Sequence, residues 1–526
     1  MAGRDPTRRL ESGQGSGAEP SRPETGSVAR HSMLNLAAGF FLLFLNILLV
    51  PHMLRAFGLE SYGILTITWM VLGNLGWLDL GLSNATTRYV ALELSRGEPG
   101  RAAQWACTAL VLQVAVGILA ALGLWLSAPR IVAFLHVSPT AESTIVWTLR
   151  AFAWSIPIDL AAGSLNGVLE AARQFAWSNG IAVATALGAY ASYAAGILAG
   201  GDLRVVTWSM LSSKVLQTAM LARRAHRIIP GLSLTNLVRV CRRDSLGHNL
   251  GFMGFGGWVT LNVAVGSWLF LYDRWVISAL GGAAALPFYS IPFGLLQRLQ
   301  VIPNSAGRAL FPALTALAAR AAWRDVTHVL VRAHQALIVA IVGAVFVVMV
   351  WGHAALRIWI DEAFAARAAR PLQILTVGFG FALLAPIAGV LLYGAGRPDV
   401  LAKLYLAELP LNLVAVTLLT RHFGIEGAAF SFLLRALIET AVVWWLVGRV
   451  LPVPITEFLR RLSWRLAIVV GPLLAGAAAI RPTGLDPFAV VGTLTCLAAS
   501  GIAALYLLFN HDERRRLLRA VWGARA

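Results

Sequence analysis

Arg298, Lys214 and Arg435 sit inside long apolar stretches, and so do the acids Asp79, Asp159, Glu408 and Glu439. A charge at the centre of a bilayer costs about 2.5 to 3.5 kcal/mol on insertion scales, so each of these groups needs a partner or water. Arg298 lies 14 residues into its stretch, ~21 Å of helix at ~1.5 Å per residue. No acid stands three or four residues to either side of it, and the same holds for Lys214, nine residues into its own stretch. Two uncompensated cations at half-depth predict a wet passage for an anionic group, because ammonium and guanidinium replace the hydration that a phosphate loses. Arg435 reads differently: Glu439 at i+4 predicts an ion pair along one helix face. Arg274 adjoins Asp273 at the end of an apolar run, where pairing across the molecule and capping a helix both fit. The embedded acids Asp79, Asp159 and Glu408 are candidates for ion coupling, since H+ or Na+ can cancel a carboxylate charge as its exposure changes.

Other chemistries lack their residues. Cys107, Cys241 and Cys496 have no paired spacing. The ten histidines are scattered, with no H-E-x-x-H, no C-x-x-C and no phosphate loop, so neither metal nor cofactor is expected. The net charge of +18 raises the question of nucleic acid, which its placement answers.

The elements that would position these groups follow from composition. Hydrophobic residues make up 58% of the 526 and charged residues 13%; a soluble domain carries about 25% charged. The chain therefore reads as an all-α polytopic membrane protein. Stretches of about 17 to 25 apolar residues cross a bilayer as helices, and fourteen occur: 33–54, 62–82, 105–126, 145–169, 175–198, 205–221, 250–271, 284–310, 329–350, 372–392, 401–419, 425–447, 464–480 and 487–509. Alternate connections hold 28 basic residues on one side and 9 on the other. The positive-inside rule assigns the richer side, with both termini, to the cytoplasm. Positive charge then marks topology and contact with anionic membrane lipids, and no nucleic-acid partner is expected. Residues 1–32 read as a disordered tail and 510–526 as a basic cytoplasmic tail.

The connection RAFGLESYGILT after the first span and SALGGAAALPFYSIP after the seventh share a small-apolar-glycine turn followed by an aromatic. Six spans separate the copies, so they have the same orientation, as parallel repeats require. This predicts two pseudo-symmetric six-helix lobes, 33–222 and 247–447, joined by a basic loop at 223–246, with two extra helices in 448–509.

Gly58, Tyr62, Gly63, Asp79, Leu80, Gly81, Leu82 and Arg88 form a pattern that resembles the opening of the polysaccharide and oligosaccharide flippases. Asp273, Ile277, Leu280, Gly281, Tyr289, Ser290, Phe311, Pro312 and Leu314 are similar to a second pattern of that family. The resemblance is to Wzx-type flippases within the multidrug/oligosaccharidyl-lipid/polysaccharide exporter superfamily. It implies lobes rocking about a central cavity that passes a polyprenyl phosphate- or diphosphate-linked oligosaccharide outward, and it implies glycan assembly proteins as partners. Arg298, Lys214, Arg88, Arg435 and Arg274 become candidates for the anionic headgroup, and Asp79 the leading candidate for coupling, with a salt bridge to Arg88 or Arg96 as its alternative role. Trp69, Trp77, Trp258 and Tyr289 are candidates to stack on sugar. Two other functions compete. An ion-coupled multidrug exporter would favour acidic cavities for its cations. A membrane glycan polymerase or ligase needs a large outer loop, whereas the longest outer connection, 352–370, is under twenty residues and its adjacent Asp361 and Glu362 form no acid/base pair.

Overall fold

The structure, a computed structural model, describes residues 44–45, 47–68, 78–79, 82–134, 139–232, 253–458, 460, 470–473, 475–476, 480 and 487–508. The described residues are mostly helical, with turns and short coil between the helices and no strand. In order they form α1 (47–68), α2 (Leu82–Ser95), α3 (Pro99–Phe134), α4 (Pro139–Ala153), α5 (Ser155–Ala171), α6 (Phe175–Leu198) and α7 (Leu203–Ile228). There follow α8 (Met253–Gly281), α9 (Pro287–Gln297), α10 (Val301–Ala319), α11 (Trp323–Trp359), α12 (Glu362–Ala382), α13 (Ala385–Gly394), α14 (Pro398–Val450) and α15 (Pro487–Leu508).

Six helical stretches among the described residues are long and apolar enough to cross a bilayer. Fourteen separate spans are not visible as such, for two physical reasons. Helices overrun the membrane thickness where nothing stops them: α3 has 36 residues and α11 has 37, well beyond the ~20 that span hydrocarbon. Consecutive spans also fuse into one stretch with a sharp break inside it. Gly58 (φ 75°) breaks α1, and Gly424 (φ 59°, ψ −139°) breaks the 53-residue α14, each in a left-handed conformation that suits glycine. Conversely, the fourth expected span divides at Trp154, and the eighth is interrupted by 3-10 turns at Ala283–Ala285 and Arg298–Gln300. The tails, the thirteenth span and most of the basic loop lie mainly or wholly outside the described residues.

Two sets of helices result. α2, α3, α5, α6 and α7 pack on one another, while α8 packs on α14, α14 on α12, and α12 on α11. The sets meet where the two glycine-aromatic connections lie. Leu54, Phe57, Tyr62 and Leu65 share a core with Ile277, Leu286, Phe288 and Tyr289, and Ala283 packs with Ile64, Ile145 and Leu149. Gly63 makes this approach feasible: a Cβ there would lie 2.1 Å from the Ala283 carbonyl oxygen. Trp359 Nε1 also donates across the sets to the Ile47 carbonyl at 2.5 Å. The helix ends carrying residues 55–63 and 278–286 are thus shut against each other.

Candidate functional site

In the first set, the start of α2 is fixed by Asp79. Its Oδ1 accepts from the Ser83 hydroxyl at 2.6 Å and from the Ser83 backbone N–H at 3.2 Å, satisfying a donor that a helix start leaves without an intrahelical partner. Gln113 of α3 donates to the same carboxylate and, at 3.2 Å, to the Ser83 hydroxyl. Its other end accepts from the Ser164 N–H of α5 at 3.2 Å. Gln113 is fully buried, so three helices converge on one carboxylate through neutral donors. Gly163 admits the approach, since a Cβ there would come within 2.6 Å of Ser83 Oγ. Of the two arginines expected to neutralise Asp79, Arg96 instead binds Glu93 at 3.2 Å, and the side chain of Arg88 lies outside the described residues. Sequence reasoning passes over Gln113 and Ser164. The available signal is an amide in an otherwise apolar run.

Lys214 requires a correction. It is not uncompensated: its ammonium donates to both carboxylate oxygens of Asp159 at 2.6 Å, from α7 to α5. The acid is 55 positions away in sequence, so no search along the lysine's own helix finds it. The same contact ties up Asp159, a coupling candidate. Side-chain exposures of 22% and 36% make the pair half-buried, so solvent weakens it. A double-mutant cycle of Lys214→Met and Asp159→Asn is expected to return a coupling of about 1 kcal/mol in thermal stability; strictly additive losses would show that the pair contributes nothing.

The second set holds two buried arginines on aromatic faces. Arg274 lies 4.1 Å from the centre of the Phe293 ring, donates to the Phe270 carbonyl, and stands 3.6 Å from Asp273. Asp273 also receives the Tyr289 hydroxyl. Tyr289 is fully buried and stacked on Phe293, so it is closed to a sugar, contrary to the expectation for that ring. Trp69 and Trp77, and the side chain of Trp258, lie outside the described residues. Arg435 makes the expected i+4 pair with Glu439 at 2.9 Å and lies over Phe270 and Phe432. Glu408 is within electrostatic range of both members of that pair. It is 7% exposed, and neither of its carboxylate oxygens has a hydrogen-bond partner among the described residues. A buried group left in this state needs a proton, a cation or water to balance it.

Arg298 differs from Lys214, Arg274 and Arg435. It closes α9 and opens the 3-10 turn before α10, and it is exposed. Among the described residues no carboxylate lies within salt-bridge distance of it. The turn keeps helical φ/ψ and its backbone hydrogen bonds, so Arg298 is an exposed guanidinium on a tightened but continuous helix. Between α11 and α12, Asp361 caps α12 by accepting from the Phe364 N–H at 2.8 Å, and Glu362 stands 3.6 Å from His353 and 3.8 Å from Arg357. Helix capping and surface pairing account for both acids.

Residues 32–192 match the MatE family. Over 432 residues the chain is 24% identical to the Shigella flexneri protein named "Putative O-antigen transporter", covering 80% of this chain and 98% of that one. Its fold is similar to that of the lipid II flippase MurJ in an inward closed conformation, with a TM-score of 0.67 at 13% identity over 93% of this chain and 100% of that one. It is also similar to an inward-facing MATE-family multidrug resistance transporter of the MOP superfamily, with a TM-score of 0.64 at 12% identity over 78% and 94%. Residues 32–192 therefore match the MatE family, and the chain is a helical membrane protein whose fold is similar to those of the MATE and MurJ structures.

Proposed function

We propose that this protein moves a lipid-linked oligosaccharide, carried on polyprenyl phosphate or diphosphate, from the inner to the outer leaflet of a bacterial cytoplasmic membrane by alternating access. The observation that carries this reading is Arg298: an exposed cation on a tightened helical turn, with no carboxylate partner among the described residues. Diphosphate cannot cross hydrocarbon without fixed positive charge to replace its water, whereas the prenyl tail can stay in lipid. The likeness to the Shigella flexneri relative along most of the chain supports the same substrate class. Arg88 joins Arg298 as a headgroup contact. Lys214, Arg435 and Arg274 serve it by releasing their present partners or by placing helices. Both termini face the cytoplasm, and the proteins that build and consume the glycan are the partners.

Glu408 and Asp79 are the proposed coupling carboxylates. Glu408 is buried without a hydrogen-bond partner among the described residues, and Asp79 is held only by neutral donors there. Binding H+ or Na+ would cancel either charge. Reconstituted in vesicles with a fluorescent polyprenyl-diphosphate oligosaccharide, the wild-type protein is expected to move the label across, faster under an imposed H+ or Na+ gradient. Glu408→Gln should keep the fold and lose the gradient response. The buried carboxylate also favours one other reading, exchange of organic cations for ions. Resistance to cationic dyes on overexpression, with no movement of the lipid-linked sugar, would replace the flippase reading by that one.

A further inference from the structure

At one end of the first set of helices, arginine and tryptophan side chains form a continuous strip. The Arg150 guanidinium of α4 lies 4.3 Å from the centre of the Trp125 ring of α3, and its Nε donates to the Trp125 carbonyl at 3.3 Å. One turn away on α4, the Trp147 ring carries the Arg204 guanidinium of α7 at 5.7 Å and stands 6.1 Å from Trp208, also of α7. The five residues share one level in the chain's hydropathy. Trp125 is the last residue but one of the apolar stretch 105–126, Trp147 and Arg150 fall in the first two turns of 145–169, and Arg204 directly precedes 205–221. That level is the boundary between hydrocarbon and water, where tryptophan collects and lipid phosphates sit. The strip also points away from the other set of helices. Phe152, Leu203, Val206 and Met210 turn the opposite faces of α4 and α7 into the core shared with that set, while Trp125, Arg204 and Trp208 are exposed. Neither arginine has a carboxylate within salt-bridge distance among the described residues. Asp202, the acid nearest to Arg204 in sequence, instead caps α7 by accepting from the Arg204 backbone N–H at 2.8 Å. A guanidinium laid on an indole face is held in place, and its N–H edges stay open to an acceptor beside the ring. Two cations fixed in this way at phosphate level, with no counter-charge from the described residues, complement an anionic headgroup. Leu122 and Val215, exposed at i−3 from Trp125 and i+7 from Trp208, continue the same helix faces toward the hydrocarbon and give acyl chains an apolar track.

We infer that this strip is a binding site for an anionic phospholipid, in which Arg150 and Arg204, each backed by a tryptophan ring, hold the headgroup phosphate. The site is separate from Arg298 and does not depend on what the protein transports. Its placement in the outer leaflet rests on the orientation proposed above; the binding chemistry does not.

The test uses the full-length, delipidated protein in detergent, read by native mass spectrometry. It is titrated separately with phosphatidylglycerol, with phosphatidylcholine of the same acyl chains, and with glycerol 3-phosphate, which has the phosphate without the chains. The first phosphatidylglycerol is expected to bind about tenfold tighter than either of the others. Combining Arg150→Gln with Arg204→Gln should abolish that preference by weakening phosphatidylglycerol about tenfold, with phosphatidylcholine unchanged. Equal binding of the two lipids by the parent, or a preference that survives in the double variant, overturns the site. Glycerol 3-phosphate binding as tightly as phosphatidylglycerol also overturns it, by assigning the arginines to a soluble anion. The ligand-free melting temperature separates lost binding from lost folding. Where the double variant melts early, Arg204→Glu at its exposed position is read instead, and a full preference for phosphatidylglycerol in that variant counts against the site in the same way.

Discussion

Arg298→Glu is expected to reduce translocation of lipid-linked oligosaccharide by at least ~100-fold while the protein still inserts and folds. The loss has two parts: the headgroup's cationic contact disappears, and a carboxylate now faces the diphosphate. Like-charge juxtaposition costs several kcal/mol, and ~100-fold corresponds to only about 2.7 kcal/mol. Folding should tolerate the change because Arg298 is exposed and makes no ion pair among the described residues, so no buried group is orphaned by its removal. Arg298→Lys should keep part of the rate, since the charge survives without the planar fork that grips two phosphate oxygens. Initial rates in the vesicle assay, normalised to the amount of folded protein, measure both variants. Full activity in Arg298→Glu would place the guanidinium outside the path and remove the chief support for an anionic cargo.

The same residue shows where sequence ran ahead of structure and where it fell short. Its depth and lack of a helical-neighbour acid follow from spacing alone, as does the Arg435–Glu439 pair, because i and i+4 face each other on any helix. Lys214 passed the same local test and failed in three dimensions: the Asp159 carboxylate comes from a helix 55 positions earlier. The Asp79 node spans separations of 34 and 51 residues, and only helix packing brings Gln113 and Ser164 to it. Hydropathy marks which segments are helical membrane spans, but it does not carry the tertiary pairings that decide which charges are free. It also misses the 3-10 turn at Arg298, because Pro292 and Gly294 both lie within the regular helix before it.

The two glycine-aromatic connections read as a repeat from sequence alone, and in the fold these two segments touch. That contact carries the second large expected effect. Gly63→Val should hold the lobes apart at this end, because a Cβ at position 63 would sit 2.1 Å from the Ala283 carbonyl oxygen and 3.0 Å from its carbon. Both are backbone atoms of a turn whose neighbours Ile64, Leu286 and Tyr289 are fully buried, so no flexible side chain can yield, and the strain falls on the interface. An alternating-access transporter needs this end shut while the other is open, and a ligand or mutation shifts that balance by as much as it favours one state. Translocation should fall about tenfold or more if the closed state loses at least about 1.4 kcal/mol. Leu286→Cys in a cysteine-free background reports the closure directly. The thiol should be protected from an impermeant maleimide in the parent, as a side chain with 0% exposure requires, and should become reactive when Gly63→Val is added. A thiol that stays protected in a fully active Gly63→Val protein would mean that the contact yields without cost and that closure is governed elsewhere.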